Sequence, residues 1–373
     1  MMYRRGIETS AGQDRRRPRR RSAERQRQLR RRRGVALLVV ALVAVVLVWR
    51  VASCGGCGGG NGAGAQQAQS GPVPPPPAPA VAGDGVKVGT FLGNYGRRYY
   101  GRGPAPKHLD VVWKVELGSG MTSGKLEGDP PGEWAGSGWT GQPNVVVDGG
   151  KTYILASAYD YRLRKIDAAT GDVLWTYEFD DIIKSSPSVF RNPSPTGADD
   201  RYIVVAGSRR GYPYALDDPR VAPLRAVTFG SGRELWRLPV PQTRSYSRDC
   251  DGSGFFFDGT FYIGVESGWF YALDPLRTTG WAEGEQPVVE HRRLLLGDAR
   301  AESHGSNLVL ESSAAAVGDR LYVASGAGHV YGLRRSDLAV VWDYFIGSDL
   351  DGATVPTEKG LLLQAVEKEY IKG

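Results

Sequence analysis

Downstream of about residue 138 the chain is written in short apolar runs separated by Gly- and Asp-rich turns. Lys151-Thr-Tyr-Ile-Leu-Ala, Arg201-Tyr-Ile-Val-Val-Ala-Gly, Thr260-Phe-Tyr-Ile-Gly-Val and Arg320-Leu-Tyr-Val-Ala-Ser-Gly align as one strand type. Most follow a turn such as Asp148-Gly-Gly150, Asp258-Gly259 or Gly318-Asp319, the chemistry expected between antiparallel strands. The runs are continuously apolar rather than alternating, which predicts strands buried on both faces. Earlier strands such as Ser312-Ser-Ala-Ala-Ala316 are built from small residues.

Each run is followed by a hairpin, clearest in Lys165-Ile-Asp-Ala-Ala-Thr-Gly-Asp-Val-Leu-Trp175. A strand ends at Ile166, Asp167 opens the turn, Thr170-Gly171 closes it, and a second strand delivers Trp175. Gly332 to Trp342 repeats it without a gap, with Arg334 for the Asp and Asp337-Leu338 for Thr-Gly. Tyr214-Ala-Leu-Asp217 and Tyr271-Ala-Leu-Asp274 read as the start of two further copies. The first reaches Gly230-Ser-Gly-Arg-Glu-Leu-Trp236 after an insertion; the second runs through Pro275 to Val288-Val-Glu-His-Arg without a Trp. Repetition of a four-strand unit predicts an all-β fold, a β-propeller of four-stranded antiparallel blades. The recurrent Trp is read as a cover for the seam between neighbouring blades.

The Lys-x-Asp-x-x-Thr-Gly-x-x-x-Trp pattern resembles the repeat of quinoprotein-like (PQQ-repeat type) β-propellers. The resemblance covers Gly138 to the C-terminus. It delimits blades at about Gly138–Phe179, Ser185–Val240, Gly252–Leu296 and Ser306–Ile346, with a partial fifth from Gly352. Val111-Val-Trp-Lys-Val-Glu-Leu117 reads as a blade-closing strand that could complete the last blade. Family propellers usually have more blades, so the propeller, assigned to 85–373, is expected to be C-terminally truncated.

The residues before the repeats read as an address. Residues 1–33 hold fourteen Arg against Glu8, Asp14 and Glu24, which leaves the rest of this +7 chain at about −4. An apolar run follows from Gly34 to Trp49, extended to Ser53 if Arg50 snorkels, long enough to span a bilayer as a signal anchor. The flanking Arg residues predict a cytoplasmic N-terminus and an extracytoplasmic, periplasmic propeller on a single-pass inner-membrane anchor. Val51-Ala-Ser-Cys54 resembles a lipobox, so a lipoprotein anchored through Cys54 is the alternative. Residues 54–84, Gly-rich with Cys54-Gly-Gly-Cys57 and then Pro74-Pro-Pro-Pro-Ala-Pro, read as a linker. The mildly acidic remainder lacks a basic stripe of the kind that tracks phosphates, so no nucleic-acid partner is expected.

Chemistry is sparse. His108, His291, His304 and His329 show no zinc-ligand spacing, and no nucleophile elbow or catalytic triad is found. The resemblance implies, for a quinone enzyme, an Asp base, calcium ligands and often an adjacent cysteine pair. Cys250 is the only Cys after the linker, and no catalytic or cofactor-binding residue is assigned. Asp249-Cys-Asp251-Gly252 and Asp349-Leu-Asp351-Gly352 share an Asp-x-Asp-Gly pattern. Carboxylates two residues apart in a turn can chelate calcium, so Asp249, Asp251, Asp349 and Asp351 are the candidate metal ligands; the other reading is repeat turns in which Asp caps backbone amides. Tyr95, Arg97, Arg98, Tyr99, Tyr100 and Arg209-Arg-Gly-Tyr212 have the composition of a protein interface, or of ordinary solvated loops. The function expected is a membrane-tethered propeller serving as a protein-binding or assembly platform in the bacterial cell envelope, with envelope proteins and the membrane as partners. A pyrroloquinoline-quinone-dependent dehydrogenase of alcohols or sugars is the alternative.

Overall fold

The computed structural model describes residues 84–99, 107–124, 129–138, 140–300 and 307–367. The predicted tail, signal anchor and linker up to residue 83 lie outside them. No helix among the described residues is long and apolar enough to cross a membrane; all the regular structure is strand. In chain order the strands are β1 (Gly85–Val88), β2 (Ser119–Thr122), β3 (Gly132–Ala135), β4 (Asn144–Asp148), β5 (Lys151–Ser157), β6 (Arg162–Asp167) and β7 (Val173–Glu178). Next come β8 (Ser188–Arg191), β9 (Tyr202–Gly207), β10 (Leu224–Thr228), β11 (Glu234–Leu238), β12 (Phe255–Phe257), β13 (Thr260–Gly264), β14 (Trp269–Trp281) and β15 (Gly284–Leu294). The last are β16 (Ala315–Val317), β17 (Arg320–Ser325), β18 (His329–Arg334), β19 (Val340–Phe345), β20 (Val355–Pro356) and β21 (Leu362–Leu363).

Four antiparallel meanders form the blades: β4 to β7, β8 to β11, β12 to β15 and β16 to β19. The pair β20–β21 stands where a fifth begins, and β2–β3 is a separate hairpin. The core lies in the seams between blades. Tyr202, Val204 and Ala206 of β9 pack with Val146, Leu155 and Leu163 of blade 1, while Ile203 and Val205 pack with Phe261, Ile263 and Val265 of blade 3. Burial of both faces is why these strands are continuously apolar. Inner strands touch through small residues: Ser188 Oγ donates to Gly254 O at 2.8 Å, and Ser312 Oγ to Gly352 O at 3.0 Å.

The repeated hairpin has a mechanical logic. Every outer pair carries a bulge at one position, between Lys165/Ile166, Ala226/Val227, Ala272/Leu273 and Gly332/Leu333. The extra residue twists the outer strand, and Trp175, Trp236, His291 and Trp342 occupy the position opposite that bulge. The Trp then caps the turn of the next blade. Trp175 Nε1 donates to Phe229 O at 3.0 Å and Trp236 Nε1 to Pro275 O at 2.9 Å. Gly232 serves two needs: its φ of 75° is left-handed, and a Cβ there would lie 2.8 Å from the Trp175 ring. Blade 3 has no Trp at this position, and Arg293 Nε takes the role by donating to Leu338 O at 3.0 Å.

Two expectations are corrected. Tyr214–Asp217 starts no hairpin; it lies in an irregular excursion between β9 and β10. The true copy, Leu224 to Trp236, matches Leu163 to Trp175 without a gap, and Thr228 replaces the turn Asp. Its Oγ1 accepts from Arg233 N at 3.2 Å, whereas Asp167 Oδ1 accepts from Ala169 N at 2.9 Å. Val111–Leu117 pairs with no strand. Trp113 nevertheless docks on blade 1 as its counterparts do, with Nε1 donating to Ala168 O at 2.9 Å.

The segment 84–99 has no counterpart in the repeat. β1 pairs with the inner strand β4, Gly89 O accepts from Val189 N at 2.7 Å, Thr90 Oγ1 donates to Gly254 O at 2.6 Å, and Tyr95 O accepts from Ala316 N at 2.8 Å. One segment thus satisfies the inner edges of blades 1 to 4 in succession. Arg97, expected in an exposed interface loop, is instead fully buried.

Candidate axial site

One backbone hydrogen bond recurs in every blade and sets the site. The amide of a residue after the second strand donates to a carbonyl just before the inner strand: Tyr159 to Gly136, Arg209 to Ile182, Glu266 to Asp249, Gly326 to Val309 and Glu367 to Asp349, all within 2.9–3.0 Å. Two residues beyond each acceptor stand Gly138, Lys184, Asp251, Glu311 and Asp351. Beyond blade 1, which has Gly138 there, ionisable side chains occupy this equivalent position, where the inner strands begin.

The candidate ligands fall into two groups with a third carboxylate each. Asp249, Asp251 and Glu266 have ligand atoms within 4.8 Å of one another, and so do Asp349, Asp351 and Glu367. In the first group the chain supplies cations. Arg209 Nε donates to Asp249 Oδ2 at 2.6 Å, Arg210 N to Asp249 Oδ1 at 3.0 Å, and Lys184 is ion-paired with Asp251. Arg209 also donates to Thr122 Oγ1 at 2.7 Å and Ser123 O at 2.6 Å, tying the β2–β3 hairpin over the site. In the second group Asn307 Nδ2 donates to Asp349 Oδ2 at 2.6 Å. Asp251 Oδ1, Glu266 Oε1, Asp349 Oδ1 and Asp351 Oδ1 are buried without a hydrogen-bond partner.

Burial and crowding shift these groups. Burial raises Glu311 to about 9, helped by the charges of Glu266 and Asp351. Asp351 rises to about 8 through burial, its hydrogen bond to Glu367 and the charge of Asp349. Burial, then the Asp249 charge, raises Glu266. Burial also pushes on Asp249, but Arg209 and Lys184 outweigh it and hold that carboxyl below its usual range. The mouth thus holds protons on some carboxyls and ion pairs on others.

A cavity of about 340 Å³ opens here, lined among others by Trp134, Lys184, Arg209, Arg210, Glu266 and Glu311. Arg97, further along the inner strands, donates from Nε to Ala314 O at 2.7 Å, from Nη2 to Ser253 O at 2.6 Å, and from Nη1 to Phe91 O at 2.7 Å. The alternative function, a quinone-dependent dehydrogenase, needs a site for pyrroloquinoline quinone. The residues present fit it poorly: a tricarboxylate would face Asp249, Glu266 and Glu311, while Lys184 and Arg209 are already paired and only Arg210 is left to meet it. Cys250 is fully buried in the seam core, its Sγ 2.5 Å from where a Cβ on Gly207 would sit. For a hard cation, the first group leaves only Asp251 Oδ1 and Glu266 Oε1, too few oxygens; the second group is not filled by Lys or Arg.

Sequence reading found four of these carboxylates and placed Arg209 in an interface or solvated loop, where it is instead buried against Asp249; it missed Lys184, Glu266, Glu311 and Glu367. The missed signal was positional: Lys184-Ser-Ser, Asp251-Gly-Ser, Glu311-Ser-Ser and Asp351-Gly-Ala are one repeat position. It also missed His329, whose Nδ1 lies 2.7 Å from Asp343 Oδ1, with Arg300 pairing both Asp343 and Asp298 nearby.

Comparison with known proteins gives the following. Residues 110–283 match the family described as outer membrane protein assembly factor BamB. No curated protein sequence matches the chain. Among solved structures, BamB from Moraxella catarrhalis is similar at 14% identity over 64% of this chain and 69% of that one, with a TM-score of 0.37. The quinohemoprotein alcohol dehydrogenase ADHIIG from Pseudomonas putida HK5 is similar at 13% identity over 64% of this chain and 37% of that one, TM-score 0.39. A europium-containing methanol dehydrogenase is similar at 13% identity over 76% of this chain and 54% of that one, TM-score 0.45. With its bulged Trp hairpin repeated from blade to blade and its family match over 110–283, the chain carries the repeat of PQQ-type β-propellers over that region.

Proposed function

We propose that the protein is a protein-binding or assembly platform of the bacterial cell envelope, tethered by the apolar segment 34–53 with its propeller outside the cytoplasm. The match of residues 110–283 to the assembly-factor family carries this reading. The axial mouth supports it: a cavity of about 340 Å³ beside the β2–β3 hairpin suits recognition of a projecting group. Arg210 lines this cavity, and the half-exposed Tyr212 lies two residues beyond it. In the same reading Asp349 and Asp351, joined by Glu367, take calcium and brace the last blade, whereas Lys184 and Arg209 replace the ion at Asp249 and Asp251.

Photo-crosslinking in cells tests the platform. With Tyr212→benzoylphenylalanine in the full chain, discrete crosslinks to envelope proteins are expected. Cysteine labelling at Asp337→Cys should require an agent that reaches the extracytoplasmic side. An absence of crosslinks, or labelling only after lysis of the inner membrane, would overturn the reading.

A further inference from the structure

The axial cavity holds one acidic oxygen that the chain leaves unanswered. Glu266 is 3% exposed, lines the cavity, and its Oε1 has no hydrogen-bond partner. A buried carboxylate oxygen in that state costs free energy unless something donates to it. Glu311 lines the same cavity. Lys184 and Arg209, the nearest cations, are committed to Asp251 and Asp249. After this pairing the carboxyls of Glu266 and Glu311 remain beside Arg210, and a further cation placed against them would favour their ionised form.

The size of the space decides the class of cation. About 340 Å³ is far more than a bare ion fills, and the carboxyls of Glu266 and Glu311 alone bring too few oxygens for calcium. An ammonium or guanidinium brings several donors of its own, so two acceptors suffice. The wall is suited to such a group. Trp134 from β3 is half-exposed at the mouth, and the Lys184 ammonium already lies 5.9 Å from its ring centroid while paired with Asp251. The chain itself thus shows an organic cation held between a carboxylate and this ring.

We infer that the axial cavity is an anchor pocket for a Lys or Arg side chain projected by a partner protein, held by Glu266 and Glu311 with Trp134 alongside. This rests on the platform reading: a rigid pocket filled by one charged, hydrogen-bonded side chain gives the central hot spot that protein interfaces use.

N-acetyl-arginine amide, whose only charge is the guanidinium, serves as the probe, titrated calorimetrically into the full chain in detergent with N-acetyl-aspartate amide as control. Saturable binding of the arginine probe is expected, weakened about tenfold or more by Glu266→Gln and about threefold by Trp134→Ala. Glu311→Gln, partly exposed and so a safer variant for folding, should weaken it too. Circular dichroism confirms that each variant is folded. No heat up to about 20 mM probe, a range that reaches the weakest specific sites, overturns the inference. So does equal affinity in folded Glu266→Gln and Glu311→Gln, or preference for the aspartate probe. The Tyr212 crosslinks separate the two readings. If they persist at full yield in Glu266→Gln, the anchor pocket fails and the platform stands. If the probe binds and no crosslink forms, the pocket stands and the platform fails.

Discussion

The two ends of the inner strands solve opposite electrostatic problems. At the mouth, Asp251, Glu311 and Asp351 crowd carboxyls with too few cations. A few residues further along the same strands, Arg97 is a buried cation with no carboxylate among its hydrogen-bond partners, held by the carbonyls of Phe91, Ser253 and Ala314 and by Thr90 Oγ1. Burial lowers Arg97 to about 9, so it keeps its charge at neutral pH. The lesson is that charge alone does not mark function. Arg97 donates four hydrogen bonds to carbonyls and a hydroxyl and is structural, a plug that closes inner edges; the mouth keeps a buried carboxylate oxygen without a partner, which is what the proposed binding requires.

The largest effect should come from breaking the plug. Arg97→Ala leaves three buried carbonyls and a hydroxyl without their donor and should cost about 3 kcal/mol or more by urea denaturation. A loss below about 1 kcal/mol would mean that the segment 84–99 is not part of the cooperative fold.

Calcium sharpens the contrast between the two carboxylate groups. Addition at a hundredfold excess over its dissociation constant should stabilise the protein by about 2.7 kcal/mol. Asp351→Ala should abolish this shift, and Asp249→Ala should leave it in place. Loss of the calcium shift with Asp249→Ala would assign the ion to the wrong group.

The pH dependence follows in size. Glu311 has a raised folded value, so between its ordinary value near 4.5 and about 9 the native state binds more protons than the unfolded chain. Its contribution is complete at low pH and is lost as pH rises through that window, at up to about 1.4 kcal/mol per pH unit. Glu311→Gln should flatten that part of the slope in a series of thermal melts from pH 5 to 9. An unchanged slope would show that the mouth carboxyls are ionised and solvated in the native state.

The smallest effect is the control. Asp337→Asn removes a surface pair with Arg334, screened by water on both sides. No measurable change in melting temperature is expected, and a clear drop would mean that exposed pairs matter here as much as axial ones.

Legibility in the sequence followed the range of the interactions. Lys165–Trp175 and Gly332–Trp342 were readable because turn, bulge and Trp are set by neighbours along the chain. Leu224–Trp236 was misread because Thr228 performs the work of an Asp, while Tyr-Ala-Leu-Asp at 214–217 imitates a strand that the excursion after Gly207 does not form. Val111–Leu117 looks like a strand because it is apolar, yet strands need a partner and here only Trp113 finds its seat. At the mouth, Asp249 and Asp251 were visible as a local pair. Glu266 and Glu311 were not, because each stands alone in sequence and gains meaning only at equivalent positions of the ring.

Local pattern was thus enough to specify an all-β repeat with Trp-capped seams, since period, turn chemistry and burial on both faces act over a few residues. Two matters were left to tertiary packing: that residues 84–99 run along the inner edges of four blades and bury Arg97, and that Lys184, Arg209, Glu266 and Glu311 converge on one opening. Both depend on contacts between residues 40 to 217 positions apart, and the free energy of a buried charge is decided by what surrounds it in space. The opening hairpin motif remains a statement about packing; the binding chemistry resides where the repeat brings its exceptions together.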